Sequence, residues 1–301
     1  MKTVIKLVFK WHELEDTDAY NSWRAAKIKA AENALNLPPV AVRDLARPTD
    51  SERHELANRC ETANFALYTC ADSSIGDEPG FPALGKFAKA FGLRIAETHR
   101  SAEATGIVAL QTSEAAGKRG YIPYTPRALN WHTDGYYNDA NHQISAFVLH
   151  CVRPAPRGGV NQLLDPEIMY IRLRDENPDF LRALMHPRAM TIPPDGTQRP
   201  ASTGPVFYAD PGTGRLQMRY TARTRSIEWR DDPVTIQAQT FLRETLMAGD
   251  PLMLQVQMQA GQGVLNNNVL HNRTSFEDGQ DSCDTRLMIR VRFHNRVIGN
   301  I

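Results

Sequence analysis

From about residue 104 the chain breaks into short β-prone runs: "GIVALQT", "ISAFVLHCV", "VNQLL", "PVFYAD", "RLQMRYT", "PLMLQVQM", "GVLNNNVL" and "LMIRVRFHN". Gly, Pro, Asn and Asp separate them, which sets strand lengths and forces frequent reversals. Runs this short cannot bury an apolar face alone, so they must pack sheet against sheet. Helical segments interrupt them at "DPEIMYIRLRDENPDFLRALMH" and "DPVTIQAQTFLRETLMAG". The expected architecture is mainly β with flanking helices, a double-sheet barrel and not a doubly wound sheet. No Gly-rich phosphate loop follows a strand; "RGG" at 157–159 and "PGTGR" at 211–215 lack the spacing and read as turns.

The earlier part reads differently. "TVIKLVF" at 3–9 is β-rich, and "DAYNSWRAAKIKAAENAL" has apolar residues at helical spacing. "RPTDSERHELANRCE" offers Asp50 or Ser51 as a helix N-cap. "NFALYT" reads as a strand and "GFPALGKFAKAFG" as a helix closed by Gly92. Residues 1–301 are expected to form a single domain, with 1–103 helix-rich and 104–301 the β core.

Composition excludes several classes. A formal charge of +1 supplies no basic field for nucleic acid. The opening apolar run is too short for a signal peptide or a membrane span. Cys60, Cys70, Cys151 and Cys283 show no Cys-x-x-Cys pairing, which argues against a zinc ribbon or dithiol site. A cytoplasmic, thiol-reducing compartment is the default expectation. The expected partner is a small-molecule substrate, with neither nucleic acid nor membrane; association into a homo-oligomer is left open. All eight Lys lie at or before Lys118, so a cationic side chain binding an anion later in the chain must be Arg or His. Arg suits a planar carboxylate, because its guanidinium donates two parallel hydrogen bonds.

"ALNWHTDGYYND" carries the one His-x-Asp/Glu triplet of the chain, His132 and Asp134. About one such triplet is expected by chance, so its surroundings must carry the argument. On a strand end the two side chains would share a face and Thr133 would point away. Such a pair supplies two of the three ligands of a facial triad that leaves coordination positions open. His271, in "GVLNNNVLHNRTSF", follows a β run in turn-prone sequence and is the best third ligand. His150 lies inside an apolar run, His186 ends a helix and His294 ends the last strand; a hydrogen-bonded core or surface role suits them better. In "TRLMIRVRF", Arg286, Met288, Arg290 and Arg292 share one strand face. That face is either solvated or, if it lines a barrel interior, in need of anionic ligands.

"NWHTD" at 130–134, "GGVN" at 158–161, "NNNVLHNRTSF" at 266–276 and "RLMIR" at 286–290 together resemble, in order, the taurine dioxygenase family. That family comprises iron(II)- and 2-oxoglutarate-dependent oxygenases and includes the 2,4-dichlorophenoxyacetate dioxygenases. The stretch "FVLHCVRPAPRGGVNQLLD" is also similar to the related γ-butyrobetaine hydroxylases. The resemblance spans about residues 120–295 and implies a double-stranded β-helix, or jelly-roll, core. It implies that His132, Asp134 and His271 ligate iron and that Arg286 pairs with the distal carboxylate of 2-oxoglutarate. Arg290 matches a position that binds an anionic substrate group in some relatives. Asn161 stands where the family commonly has Thr, a second contact to the cosubstrate. Asn130 and Tyr136 are candidates for the substrate side, and Tyr137 and Asn138 for the mouth of the site.

The implied reaction uses O₂ and 2-oxoglutarate, releases succinate and CO₂, and hydroxylates a small anionic or zwitterionic substrate. Related halogenases lack the ligating carboxylate, so Asp134 favours hydroxylation. Arg215, Arg219, Arg223 and Arg225 read mainly as a solvated charged loop, with one or two free to meet a substrate anion. Two rivals stand beside this reading: a non-catalytic jelly-roll anion-binding protein and a 2-oxoglutarate-independent iron dioxygenase. The substrate itself is left open among taurine, other sulfonates, carboxylates and betaines.

Overall fold

The strand Leu287–Phe293 is buried on both faces, and this fixes the layering around it. Ile289, Val291 and Phe293 enter one apolar core, while Met288 enters another on the opposite side. The computed structural model describes residues 10–71, 81–96, 106–115, 118–196, 199–279 and 284–299. The N-terminal strand expected at residues 3–9 lies outside the described residues.

Ten strands build two sheets. In chain order they are β1 (Val40–Val42), β2 (Phe65–Cys70), β3 (Ile107–Leu110), β4 (Leu129–His132) and β5 (Ala146–Arg153). They continue with β6 (Asn161–Leu164), β7 (Leu254–Val256), β8 (Gln262–Asn266), β9 (Leu270–Arg273) and β10 (Leu287–Phe293). The larger sheet runs β1-β2-β8-β5-β10-β3, antiparallel except for the β1–β2 pair. The smaller sheet runs β7-β6-β9-β4 and is antiparallel throughout. The helix-rich first third therefore contributes β1 and β2 to the same sheet as the C-terminal strand.

Helices cover the outer faces. Helices α1 (Thr17–Asn36), α2 (Asp50–Ala63) and α3 (Pro82–Ala90) come first in the chain. Leu56, Ala57 and Cys60 of α2, with Leu84 and Phe87 of α3, pack on the outer face of the larger sheet. Helices α4 (Pro166–Glu176), α5 (Pro178–Leu184) and α6 (Pro233–Ala248) pack on Trp131, Leu164 and Leu270 of the smaller sheet. Between the sheets lies a third cluster, including Tyr124, Phe147, Leu149, Leu163, Val264 and Met288. The inner space it borders holds the site described below.

Local chemistry sets the boundaries. The α2 cap is Thr49, not Asp50 or Ser51, because Thr49 forms a capping box with Glu52. Proline divides the segment after residue 165 into α4 and α5: Pro178 has no N–H, and Asn177 ahead of it is extended, ending one helix and capping the next. Gly92 has φ +63°, closing α3 as expected. In "RGG" both Gly158 and Gly159 have positive φ, and a Cβ on Gly158 would stand 2.3 Å from the Ser275 carbonyl oxygen. No helix among the described residues is long and apolar enough to cross a membrane.

Candidate active site

Antiparallel pairing of β4 with β9 sets His132 directly opposite His271. Their ring centroids are 4.2 Å apart. Strand β4 stops at His132. Thr133 turns away and is fixed to Tyr220, whose N–H donates to the Thr133 hydroxyl at 3.0 Å. Asp134 swings back, so its Oδ1 lies 3.8 Å from His132 Nε2. The ligand atoms of His132, Asp134 and His271 all lie within 4.8 Å of one another.

Each imidazole is aimed by its own strand. His132 Nδ1 donates to the Asn130 carbonyl at 2.8 Å, and His271 Nδ1 donates to the Val269 carbonyl at 2.9 Å. A carbonyl only accepts, so each Nδ1 carries the proton and each Nε2 keeps its lone pair for the site. Burial, and then the neighbouring His271, pushes the His132 pKa down to about 3. Burial also lowers that of His271. Burial opposes ionisation of Asp134, but Arg290 and Arg292 hold its carboxyl well below the usual range. Asp134 Oδ2 is buried without a hydrogen-bond partner among the described residues. Two neutral imidazole nitrogens and one ionised carboxylate fit a first-row divalent metal and leave coordination positions open.

Asn268 escaped the sequence reading. It has φ 52°, a left-handed conformation that Asn tolerates. Its Oδ1 accepts from the Asp134 N–H at 2.8 Å, and its Nδ2 donates to the Asp134 carbonyl at 2.9 Å and the Ile144 carbonyl at 2.7 Å. The signal was present in the run Asn266, Asn267, Asn268, all three buried, ahead of His271, the third candidate ligand.

Three guanidiniums from β10 and the residue before it enter the inner space. Arg286 lies over the Phe276 ring at 5.0 Å, and burial lowers its pKa to about 10. Among the described residues its side chain has no hydrogen-bond or ion-pair partner. A Cβ on Gly159 would stand 3.5 Å from Arg286 Nε, in ordinary contact, and the φ of +69° is what favours glycine there. Asn161 adjoins this place, its Nδ2 donating to the Gly159 carbonyl at 3.3 Å. Arg290 Nη1 donates to Asp134 Oδ1 at 3.1 Å, which ties it to a candidate metal ligand. Arg292 Nη1 donates to the Tyr137 hydroxyl at 3.0 Å.

The other sequence candidates fall in varied places. The Asn130 residue is exposed and engages the site through its backbone carbonyl. Tyr136 is buried edge-on to His132, 6.3 Å between centroids. The exposed Arg223 guanidinium lies over the Tyr136 ring at 5.6 Å. Arg219 is no solvated residue: it is buried and donates to the carbonyls of Tyr136, Met190, Gly204 and Ser202, a structural use of all its reach. Arg215 pairs with Glu61. His150, His186 and His294 stand apart from the triad, bonded to Tyr68, the Arg188 N–H and the Gln143 carbonyl respectively.

The family described as "Taurine catabolism dioxygenase TauD, TfdA family" matches residues 80–292. A match of that extent places the chain in the family; the protein is a 2-oxoglutarate-dependent dioxygenase of the iron(II) type. A uridine-5'-phosphate dioxygenase from a Streptomyces species is 28% identical over 263 residues, covering 83% of this chain and 90% of that protein. Another from an Amycolatopsis species is 33% identical over 162 residues, which span 50% of this chain and 56% of that relative. The non-heme iron oxygenase OrfP, solved with Fe, succinate and (3S)-hydroxy-L-Arg, superposes with a TM-score of 0.62 at 17% identity, covering 94% of this chain and 90% of that one. Asparagine oxygenase, solved with Fe(II), 2S,3S-3-hydroxyasparagine and succinate, gives 0.58 at 14% identity, covering 91% and 92%. These two likenesses concern the fold.

Proposed function

We propose that the protein hydroxylates a small anionic substrate while converting 2-oxoglutarate and O₂ to succinate and CO₂. The observation that carries this reading is the joint presence of the His132–Asp134–His271 cluster and a buried Arg286 guanidinium with no hydrogen-bond or ion-pair partner among the described residues. Binding an anion needs no such triad, and an iron oxygenase without 2-oxoglutarate would give Arg286 no task. The two facing sheets are read as one double-stranded β-helix domain spanning the chain.

His132, Asp134 and His271 would hold iron(II), which when bound supplies the activation of O₂. The remaining work belongs to the chain. Arg286 takes the distal carboxylate of 2-oxoglutarate in a two-point hydrogen bond, with Asn161 close by. Asn268 fixes the Asp134 backbone, so the carboxylate does not need to be reoriented when ligands arrive. The apolar cluster of Phe147, Leu149, Leu163 and Met288 keeps bulk water from the inner space. Asp134 occupies the position that halogenases leave without a carboxylate, which favours hydroxylation. Relatives named for uridine-5'-phosphate favour a phosphate-bearing substrate over taurine. The buried free thiols of Cys60, Cys70 and Cys151 are compatible with a cytoplasmic location.

The test is anaerobic addition of Fe(II), then 2-oxoglutarate, while the visible spectrum is recorded. A charge-transfer band that needs both components is the expected result. Fe(II) binding with no band on adding 2-oxoglutarate would point to the cosubstrate-independent rival, and no Fe(II) binding to the anion-binding one.

A further inference from the structure

Sequence resemblance puts the substrate's anion on Arg290, but the structure commits that side chain elsewhere. Arg290 Nη1 is bonded to Asp134 Oδ1, and its Nε is buried without a hydrogen bond among the described residues. Two residues further along the same face, Arg292 uses one N–H on the Tyr137 hydroxyl. Among the described residues no other hydrogen bond and no salt bridge engages its guanidinium, although it is only 4% exposed. Burial works against the charge of Arg292, yet Tyr137, Asp134 and Tyr124 around it raise its pKa.

Tyr124 is the second unexplained group. It ends the 3-10 turn Ile122–Tyr124 and packs into the cluster between the sheets, 3% exposed. Its hydroxyl is buried and has no hydrogen-bond partner among the described residues. A buried phenol without a hydrogen bond is costly and calls for a polar ligand. Charge points the same way. Arg286, Arg290 and Arg292 are all buried, and the acidic groups near them among the described residues are Asp134 and the half-buried Asp278. A divalent metal and doubly negative 2-oxoglutarate would cancel each other, leaving the excess positive charge in place.

We infer that Arg292, with Tyr124 and Tyr137, forms the subsite for a tetrahedral oxyanion of the primary substrate, and that Arg290 is a positioning residue for Asp134. The three donor groups come from three elements: β10, the turn before β4 and the loop after it. Donors supplied by separate elements suit a phosphate or sulfonate better than a planar carboxylate, which one guanidinium fork would satisfy. This inference rests on the oxygenase reading, because the charge balance includes iron and 2-oxoglutarate.

The test titrates the anaerobic Fe(II)–2-oxoglutarate protein with uridine-5'-phosphate, uridine and taurine, following the charge-transfer band. The phosphate should bind at least about tenfold tighter than uridine. Arg292→Gln should raise its dissociation constant roughly 100-fold, Arg292→Lys should recover part of that, and Tyr124→Phe should weaken it by roughly tenfold. All three should leave uridine binding near the wild-type value. Taurine binding lost in Arg292→Gln would support the same subsite with a sulfonate occupant. Arg290→Gln should instead weaken Co(II) binding in the absence of any substrate. Two results overturn the inference: wild-type protein that shows the band but binds neither anion, or anion affinity that falls in Arg290→Gln and holds in Arg292→Gln and Tyr124→Phe. Loss of the band in the wild type would fail the oxygenase reading itself.

Discussion

Asn268 holds Asp134 by its main chain from both sides, accepting from its N–H and donating to its carbonyl. Asn268 thereby fixes a candidate metal ligand just past a strand end without itself touching the carboxylate, which Arg290 engages. Asn268→Ala removes both contacts and leaves a non-glycine residue at positive φ. Metal affinity should fall about 10–100-fold, the scale of lost outer-shell support. Calorimetric titration with Co(II) measures it. Wild-type affinity in a folded variant would show that Asp134 is held by something else.

His132→Ala should abolish metal binding while leaving the fold intact. The side chain is at the end of β4, so its loss opens space toward the site and leaves the strand's pairing with β9 in place. Circular dichroism checks the fold and metal analysis of the purified protein checks the site. A variant that still bound one equivalent of iron would remove His132 from the ligand set.

Arg286→Ala tests the cosubstrate apart from the metal. Charge-assisted hydrogen bonds contribute about 1.5–3 kcal/mol each, so losing a two-point contact should raise the 2-oxoglutarate dissociation constant roughly 100-fold or more. Lysine should restore only part, since it offers a point charge and not a fork. Iron affinity should barely change. An unaltered 2-oxoglutarate titration, with a large loss in Arg290→Ala, would move the role to Arg290.

His150 gives a pH prediction remote from the site. It is buried against Tyr68, and burial lowers its pKa from 6.5 to about 4. The unfolded chain therefore binds a proton below 6.5 that the folded chain refuses until about 4. Its contribution to stability is complete above 6.5 and drains away as pH falls through that window. The loss approaches about 3 kcal/mol. Urea unfolding of wild type and His150→Gln at several pH values should show the difference between them changing in that interval and flat above it. A constant difference would mean His150 titrates normally.

Local signals in the sequence determined much of this protein. Periodicity and punctuation located α1, α3 and α6, the strand Phe65–Cys70 and the alternation along β10, because these depend on residues within one or two turns. The spacing of His132 and Asp134 marked a candidate ligand pair, and the polar surroundings of His271 marked a candidate partner. Other features were decided by contacts distant in sequence. Alternation could not say whether the Arg286–Arg292 face met water or protein; folding buries all three arginines, against Phe276, Asp134 and Tyr137. Nor could it show that Arg290 would be taken by Asp134, 156 residues away. Arg219 looked like a loop charge, yet four backbone carbonyls converge on it only once the chain has folded. The His132–His271 pair exists because β4 and β9 align in one register, and that register is set by the packing of whole sheets. Sequence names the groups able to do the chemistry; tertiary packing decides which charges meet and which are left to bind a ligand.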